Sequence, residues 1–482
     1  LTALAFEAPE VSVVIPAHDQ FWATYNCLAA ILLSPNVATY EIIVVDDGSQ
    51  DQTKDLPRLV KNIVYLRNET ALGFVKAANQ GAAAARGRHV VMLNNDTEPG
   101  PGWLDELLSV FAIFPDAGIA GAKLVYPDGR LQEAGGIVYA DFETGNYGWG
   151  LNPNEPRFNY ARQVDYVSGA CLMTPRDLWE KLGGFDEAFA PAYFEDTDLA
   201  FRTRELGRKT YYAPLAEVVH YEGLSNGVST EAGVKRYQAL NAPKFRRRWA
   251  AAMRALPSAH PELAKDRGVE LRALVIDYKT PEPDRDAGSY AAVQEMRLLQ
   301  ALGFKVTFVS QSLAYMGDYT QDLQRRGVEC LYAPYQTSIE EVVRNRGLEF
   351  DVFYITRYNV AQPYIDEIRA SSPRGKIVFC NADLHFLREI RSAIAAGDAE
   401  ALAKARETRE AELAVMRRVD VTLTYSDAEA AVILSHNLDE TKVARCPWVA
   451  DAREETPPFA ARTGLAFLGG FNHAPNEEAV RY

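Results

Sequence analysis

Three short runs constrain the fold of this chain most. "VSVVIPA" (11–17), "YEIIVVDD" (40–47) and "HVVMLNND" (89–96) are almost unbroken Val, Ile, Met and Leu with no polar alternation before their ends. Runs of this kind belong to strands buried on both faces, as in a parallel sheet. Helix-patterned stretches lie between and after them: "ALGFVKAANQGAAAARG" (71–87), then Leu104, Leu107, Leu108 and Phe111 at helical spacing. This alternation predicts a Rossmann-like, mainly parallel α/β sheet with right-handed crossovers. Ligands of such sheets sit beyond the carboxyl ends of the strands.

At 482 residues the chain exceeds one ordinary core. "ALPSAHPELAKDRGVE" (255–270) breaks the pattern, and a second α/β run follows with "LRALVIDY", "FKVTFVS", "VFYITRY", "GKIVFCNAD" and "DVTLTYS" as buried strands. The expected organisation is a first domain over 1–255, a linker over 256–270, a second α/β domain over 271–460, and over 461–482 the start of a further domain that is cut short. The charged stretch 397–418 reads as a helix with a solvated face.

Composition narrows the function. The net charge of -14 sets up a field that repels nucleic acid. Five scattered cysteines without a CxxC pair fit neither a disulfide framework nor a zinc site, which predicts a reducing, cytoplasmic setting. No apolar run reaches eighteen residues, so no membrane span is expected. The opening "LTALAFEAPEVSVVIP" lacks a secretory-signal pattern.

Polar groups gather at three strand ends: Asp46-Asp47-Gly48-Ser49, Asn95-Asp96 and His220. If these converge on one sheet edge, a carboxylate and an imidazole there suit a Mg²⁺ or Mn²⁺ ion that also binds a diphosphate. Asp47 separately suits a base imide or a ribose hydroxyl. Each signal has an ordinary counterpart: Asp-Gly-Ser is a turn, Asn-Asn-Asp-Thr a helix cap, and a lone His most often structural. A fourth element, "AYFEDTDLAFRTRELG", clusters Glu195, Asp196 and Asp198 at a helix start, where the dipole favours acids. Adjacent Glu195 and Asp196 cannot both cap the helix, and one of them, partly desolvated, suits a general base for a hydroxyl nucleophile.

In their order, these motifs over about residues 10–250 resemble the family-2 glycosyltransferases of the GT-A fold. By that resemblance "VSVVIPAHDQ", with Pro16 and His18, is the first nucleotide-binding strand and loop. "VVDDGSQDQT" supplies Asp47 for the base with Asp46 beside it, and Gly73, Lys76 and Asn79 line the donor diphosphate. "LNNDT" stands where the family has a DxD metal motif. "GGFDEAFAPAYFEDTDL" is the acceptor side, with Gly184 and Asp198, and Asp196 of the Glu195-Asp196 pair is the base. His220 completes the metal site. One departure matters: Asn94-Asn95-Asp96 offers a single carboxylate, so Asp96 is the principal ligand and Asn95 reaches ribose or phosphate only through its amide. The resemblance implies metal-dependent (Mn²⁺ or Mg²⁺), inverting transfer from a UDP- or dTDP-linked sugar to a glycan or lipid-linked acceptor in surface polysaccharide or glycoconjugate synthesis. A dTDP-rhamnose or UDP-hexose donor is favoured. Processive members carry QxxRW and membrane helices, whereas this chain has "FRRRW" (245–249), which points to a non-processive enzyme.

Lys244, Arg246, Arg247 and Arg248 flank Phe245 and Trp249. They read either as a peripheral contact with the inner membrane face or as a basic helix end with two core aromatics. From about residue 270, "PDRDAGSYAAVQEMRLLQALGFKVTFV", with Gly288 placed for close backbone approach, "NADLHFLR", "TYSDAEAAVI" and "GLAFLGGFNHAPNEEAV" resemble the N-terminal half of a family-4, GT-B type glycosyltransferase. Two other functions stay open: a sugar-1-phosphate nucleotidyltransferase, although "VVIPAHDQ" is not its Gly-rich loop, and a non-catalytic glycan-binding or docking module.

Overall fold

The computed structural model describes residues 1–139, 143–222, 235–254, 261–436, 442–450, 456–465, 467 and 474–481. The chain divides into two units, Leu1–Gly268 with Gln324–Arg326, and Val269–Leu323 with Gly327–Tyr482.

The strands of the first unit are, in chain order, β1 (Val11–Ala17), β2 (Tyr40–Asp47), β3 (Val64–Asn68), β4 (His89–Leu93), β5 (Thr97–Pro99), β6 (Ala117–Val125), β7 (Leu131–Glu133), β8 (Gly136–Val138), β9 (Thr144–Asn146), β10 (Arg162–Val164), β11 (Cys171–Pro175) and β12 (Lys209–His220). The main sheet runs β10-β12-β6-β11-β4-β1-β2-β3, with β5 on β12 and β7 on β6. Strands β4, β1, β2 and β3 are parallel, as the sequence pattern predicts for β1, β2 and β4; β3, only partly buried, lacks their unbroken apolar run. The sheet as a whole is mixed, because β11 enters antiparallel between β4 and β6.

Side chains alternate across this sheet, and both faces are apolar. Val13, Ile15, Ile42 and Val44 join one core, while Val14, Ile43 and Val45 join the other. Helices therefore have to cover both sides. Phe21–Leu33 and Trp103–Ile113 bury Leu28, Ile31, Leu104 and Leu107 against the first core, and Phe74–Ala83 buries Val75, Ala77 and Ala78 against the second. Asn94-Asn95-Asp96-Thr97 does not cap a helix. Thr97 Oγ1 donates to Asn94 O at 2.7 Å, the chain enters β5, and the next helix begins only at Trp103 behind Gly102. The pairing of β5 with β12 sets Thr97 opposite His220.

Residues 261–268, in the stretch expected to be a linker, group with this first unit. Tyr160 Oη donates to Asp266 at 2.6 Å, Tyr147 Oη to Glu262 at 2.9 Å, and Arg267 pairs with Asp165.

The strands described in the second unit are β13 (Leu271–Asp277), β14 (Phe304–Ser310), β15 (Glu329–Leu331), β16 (Val352–Thr356), β17 (Lys376–Cys380), β18 (Val421–Thr424) and β19 (Lys442–Arg445). They are all parallel, in the order β15-β14-β13-β16-β17-β18-β19. The charged helix is Ala399–Arg418, and its second half is not solvated on every side. Leu413, Val415 and Met416 are buried, and Glu412 is fully buried, accepting from Phe386 N at 3.0 Å. A helix spans Ala474–Arg481; most of the Gly-rich turn expected before it lies outside the described residues. Among the described residues no helix is long and apolar enough to cross a membrane.

Candidate functional site

A cavity of about 590 Å³ opens at the carboxyl ends of β1, β2 and β4. Pro16, His18, Asp47 and Gly73 form one wall, Asn94, Asn95, Asp96 and His220 another, and Glu195 and Asp196 a third. The structure thus brings together most of the residues singled out above.

The first wall rests on Asp47. Its buried carboxylate accepts from Asn68 Nδ2 at 2.9 Å and from the backbone amides of Leu72 (2.8 Å) and Gly73 (2.7 Å), while His18 Nδ1 donates to its carbonyl oxygen at 2.7 Å. Asp47 therefore holds the loop that begins the helix Phe74–Ala83. Gly73 is required there: its φ is +91°, and a Cβ would lie 2.5 Å from Cβ of Pro191. Asp46 points the other way and does not line the cavity. It is fully buried, accepting from Ser49 N at 2.8 Å and Tyr65 Oη at 2.5 Å and pairing with Arg67.

Four other named residues also stand apart from the cavity. Lys76 is half-exposed, 3.6 Å from Glu187 Oε2. Asn79 clamps the loop before the acidic helix, donating to Phe185 O at 2.8 Å and accepting from Phe185 N at 2.9 Å. Gly184, with φ +69°, lies against that clamp, where a Cβ would sit 2.5 Å from Asn79 Oδ1. Asp198 is fully buried and accepts from Arg202 Nε (2.6 Å), Arg248 Nη1 (2.8 Å) and Trp249 Nε1 (2.9 Å). Phe245 and Trp249 are core residues, so the "KFRRRW" segment ties the helix Arg236–Arg254 to the acidic helix. Lys244 donates to Ala188 O at 3.0 Å, Arg246 pairs with Glu143 at 3.1 Å, and Arg247 is exposed.

On the second wall His220 Nε2 lies 3.4 Å from Asp96 Oδ1, and both residues are buried. Gln132 Oε1 sits 3.0 Å from His220 Nδ1. An amide oxygen only accepts, so Nδ1 carries a proton and Nε2 is the ring atom turned toward the carboxylate. An imidazole nitrogen beside a carboxylate is a donor pair suited to a divalent cation. Among the described residues no group of three or more His, Cys, Asp and Glu could hold a metal ion. Asp96 and His220 would hold a Mn²⁺ or Mg²⁺ ion only as two donors, its other positions falling to ligand oxygens and water. Asn95 Nδ2 donates to Thr24 Oγ1 at 2.9 Å, and Asn94 Nδ2 lies 3.4 Å from His220 Nε2.

The acidic wall depends on backbone strain. Tyr193 (φ +75°) and Phe194 (φ +72°) both adopt the left-handed conformation, at about 1–3 kcal/mol each. Asn241, fully buried, holds that loop by donating to Phe189 O (2.8 Å), Ala192 O (2.9 Å) and Tyr193 O (3.0 Å). The double turn lets Glu195 and Asp196, the first two residues of the helix Glu195–Glu205, both reach the cavity. Asp196 accepts from Gly169 N at 3.0 Å and Thr197 N at 2.6 Å; burial raises its pKa, and these hydrogen bonds oppose the rise.

Sequence reasoning missed Gln132, Glu133 and Asn241. Glu133 lines the cavity, and burial pushes its carboxyl up to about 8, with Asp196 adding to the shift. Two polar residues in the otherwise unremarked "RLQEAGG" were the only signal, and Asn241 lies in a helix without a motif.

Residues 12–183 match the profile described as Glycosyl transferase family 2. An N-acetylglucosaminyl-diphospho-decaprenol L-rhamnosyltransferase of Mycobacterium tuberculosis is 29% identical over 240 residues, covering 44% of this chain and 78% of the relative. The O-antigen biosynthesis protein RfbC of Myxococcus xanthus is 30% identical over 232 residues, which cover 45% of this chain but only 18% of that much longer protein. Among solved structures, GalNAc-T7 with UDP, GalNAc and Mn²⁺ superposes with a TM-score of 0.42 at 17% identity, over 54% of this chain and 56% of that one. The N-terminal part of this chain carries a Glycosyl transferase family 2 domain.

Proposed function

We propose that the first unit is a metal-dependent, inverting, non-processive glycosyltransferase that moves a sugar from a UDP- or dTDP-linked donor to a hydroxyl of a glycan or lipid-linked acceptor. The observation that carries this reading is the meeting of Asp96 and His220, 3.4 Å apart, in one cavity with Asp196. Pro16, His18 and Asp47 bind the nucleoside end of the donor, and Gly73 lies against its diphosphate. Asn95 offers its amide to the ribose or a phosphate. Asp96 and His220 would hold the ion, whose chemistry there would be Lewis-acid neutralisation of the departing diphosphate. Asp196 takes the proton from the acceptor hydroxyl as its oxygen bonds the anomeric carbon, on the face opposite the leaving group.

The relatives' names support the choice of substrates: one is a rhamnosyltransferase with a lipid-diphosphate acceptor, the other an O-antigen biosynthesis protein. They favour a deoxyhexose donor and a place in surface-polysaccharide assembly. We also infer that the second unit is the N-terminal half of a GT-B type transferase, a reading supported by its all-parallel sheet. Peripheral contact with anionic lipid falls to Lys244, Arg246 and Arg247, since Arg248 is engaged by Asp186 and Asp198. Loss of vesicle binding in Arg246→Ala/Arg247→Ala would support that contact, and unchanged binding would retire it.

The deciding experiment is calorimetric binding of UDP, dTDP, GDP and CDP to the full chain, each with Mn²⁺ and with chelator. Metal-dependent binding of one nucleotide, lost in Asp96→Ala, supports the reading and narrows the donor. No binding by any of them overturns it in favour of a glycan-binding or docking role.

A further inference from the structure

The cavity holds more carboxyl groups than the proposed transfer uses. Two of them are anchored by consecutive amides of one turn: Ser168 N–H donates to Glu133 Oε1 at 2.9 Å, and Gly169 N–H donates to Asp196 Oδ2 at 3.0 Å. β7 and the start of the acidic helix, far apart in sequence, are thereby set side by side. A third carboxyl, Glu195, adjoins them. It is 5% exposed, lines the same cavity, and its Oε2 has no hydrogen-bond partner among the described residues. Glu133 is 1% exposed, and Asp196 is the most open of the three.

Among the described residues no Lys, Arg or His pairs with any of the three; His220 and Lys235, bases that line the same cavity, lie against Asp96 and Glu222 instead. The titratable groups that face them are acids as well. Glu133 faces Asp196, Tyr166 and Tyr212; Glu195 and Asp196 face each other and Tyr193. Two unit charges about 4 Å apart repel by about 4 kcal/mol at an effective dielectric near 20, before the penalty for burying each. Ionisation of all three would therefore set like charges against one another in a single buried cavity.

We propose that the trio carries one negative charge, on Asp196, and that Glu133 and Glu195 are carboxylic acids whose O–H groups orient a polyhydroxyl ligand against that single base. Ser168 N–H occupies Glu133 Oε1, which leaves the proton on Oε2. An incoming sugar then meets two hydrogen-bond donors and one acceptor where the bare sequence offers three anions. Burial raises both glutamates, Glu133 to about 8 and Glu195 well above its ordinary value, and the neighbouring Asp196 charge adds to each. The nature of the ligand rests on the transferase reading, while the proton inventory does not.

The test is carboxyl-carbon NMR of the full chain carrying ¹³C-labelled Glu and Asp, titrated from about pH 4 to about pH 9. Glu133→Gln, Glu195→Gln and Asp196→Asn assign the resonances. The expected result is that Asp196 ionises first, that Glu133 titrates at least about two units above ordinary glutamate, and that its midpoint falls by about one unit in Asp196→Asn. A Glu133 midpoint near about 4.3 overturns the proposal. If Asp196→Asn does not fold, the wild-type midpoints decide in the same way. Binding of UDP with Mn²⁺, measured on the wild-type sample, reports on the transferase reading alone. Raised glutamates without nucleotide binding support the shared charge and sink the transferase; ordinary glutamates with nucleotide binding do the reverse.

Discussion

His220 reaches Asp96 because β5 pairs antiparallel with β12: Thr97 lies opposite His220, and the register leaves Nε2 3.4 Å from the carboxylate one residue earlier. Backbone pairing, not a shared motif, builds this donor pair. Asp96→Ala and His220→Ala should each abolish the Mn²⁺-dependent part of nucleotide binding. Gln132→Ala, which frees the His220 ring to turn, should weaken metal affinity by about 10- to 100-fold. Calorimetry with and without chelator measures all three, and undiminished Mn²⁺ dependence in Asp96→Ala would remove it from the metal site.

Asp196→Asn keeps one acceptor oxygen for Gly169 N–H, gives up the one that serves Thr197 N–H, retains most of the volume and removes the base. Transfer should fall by about 10²- to 10⁴-fold while nucleotide binding persists. Because burial raises the Asp196 pKa, the acidic limb of the wild-type rate profile should lie above the ordinary aspartate range, with the rate rising as pH increases through it. Steady-state rates across pH, beside nucleotide calorimetry, separate this from a folding defect.

Asp46 and Asp47 are neighbours in sequence with opposite duties, and their variants should differ in kind. Asp46→Ala strips a buried partner from Arg67, Tyr65 and Ser49 N and should cost about 3–5 kcal/mol of stability. Asp47→Asn should instead loosen the Leu72–Gly73 loop and weaken nucleotide binding. Urea denaturation beside calorimetry distinguishes them. Equal loss of stability in both would show that Asp47 is only a turn residue.

The parallel strands and the polar strand ends could be read from sequence because burial on both faces leaves an unbroken apolar signature, as in Val11–Ala17. Asp96 and Asp47 were legible for the same reason: each follows such a run. Asp198 was misleading, since its acid-rich helix start says nothing of Arg248 and Trp249, which arrive from a distant helix to occupy it. Gln132 and Glu133 were illegible because their strand is three residues long and their importance arises from what tertiary pairing sets beside them. Asn241 has no local signal, as its three acceptors belong to another loop.

Gly184→Ala forces a side chain into a left-handed turn and into Asn79 Oδ1, 2.5 Å away. The strain alone is about 1–3 kcal/mol, and relief requires breaking the Asn79–Phe185 clamp. The urea midpoint should drop accordingly. A substituted Asn79, which vacates that space, should reduce the further effect of Gly184→Ala below the sum of the single changes.

Glu133 makes the stability of the fold depend on pH in a defined direction. Its native pKa is raised to about 8, against about 4.3 for an ordinary glutamate, so between those values the native chain holds a proton that the unfolded chain has released. Stability conferred by that proton is fully present below the unfolded pKa, declines as pH rises, and is lost through the folded pKa. Glu133→Gln keeps an acceptor for Ser168 N–H but cannot ionise in either state, so it removes this slope. The variant should gain on the wild type as pH climbs from about 5 to about 8, by up to a few kcal/mol, roughly the linkage for such a shift. Urea midpoints of both chains across that window measure the difference. A difference that stays constant with pH would mean that Glu133 ionises alike in the folded and unfolded chain.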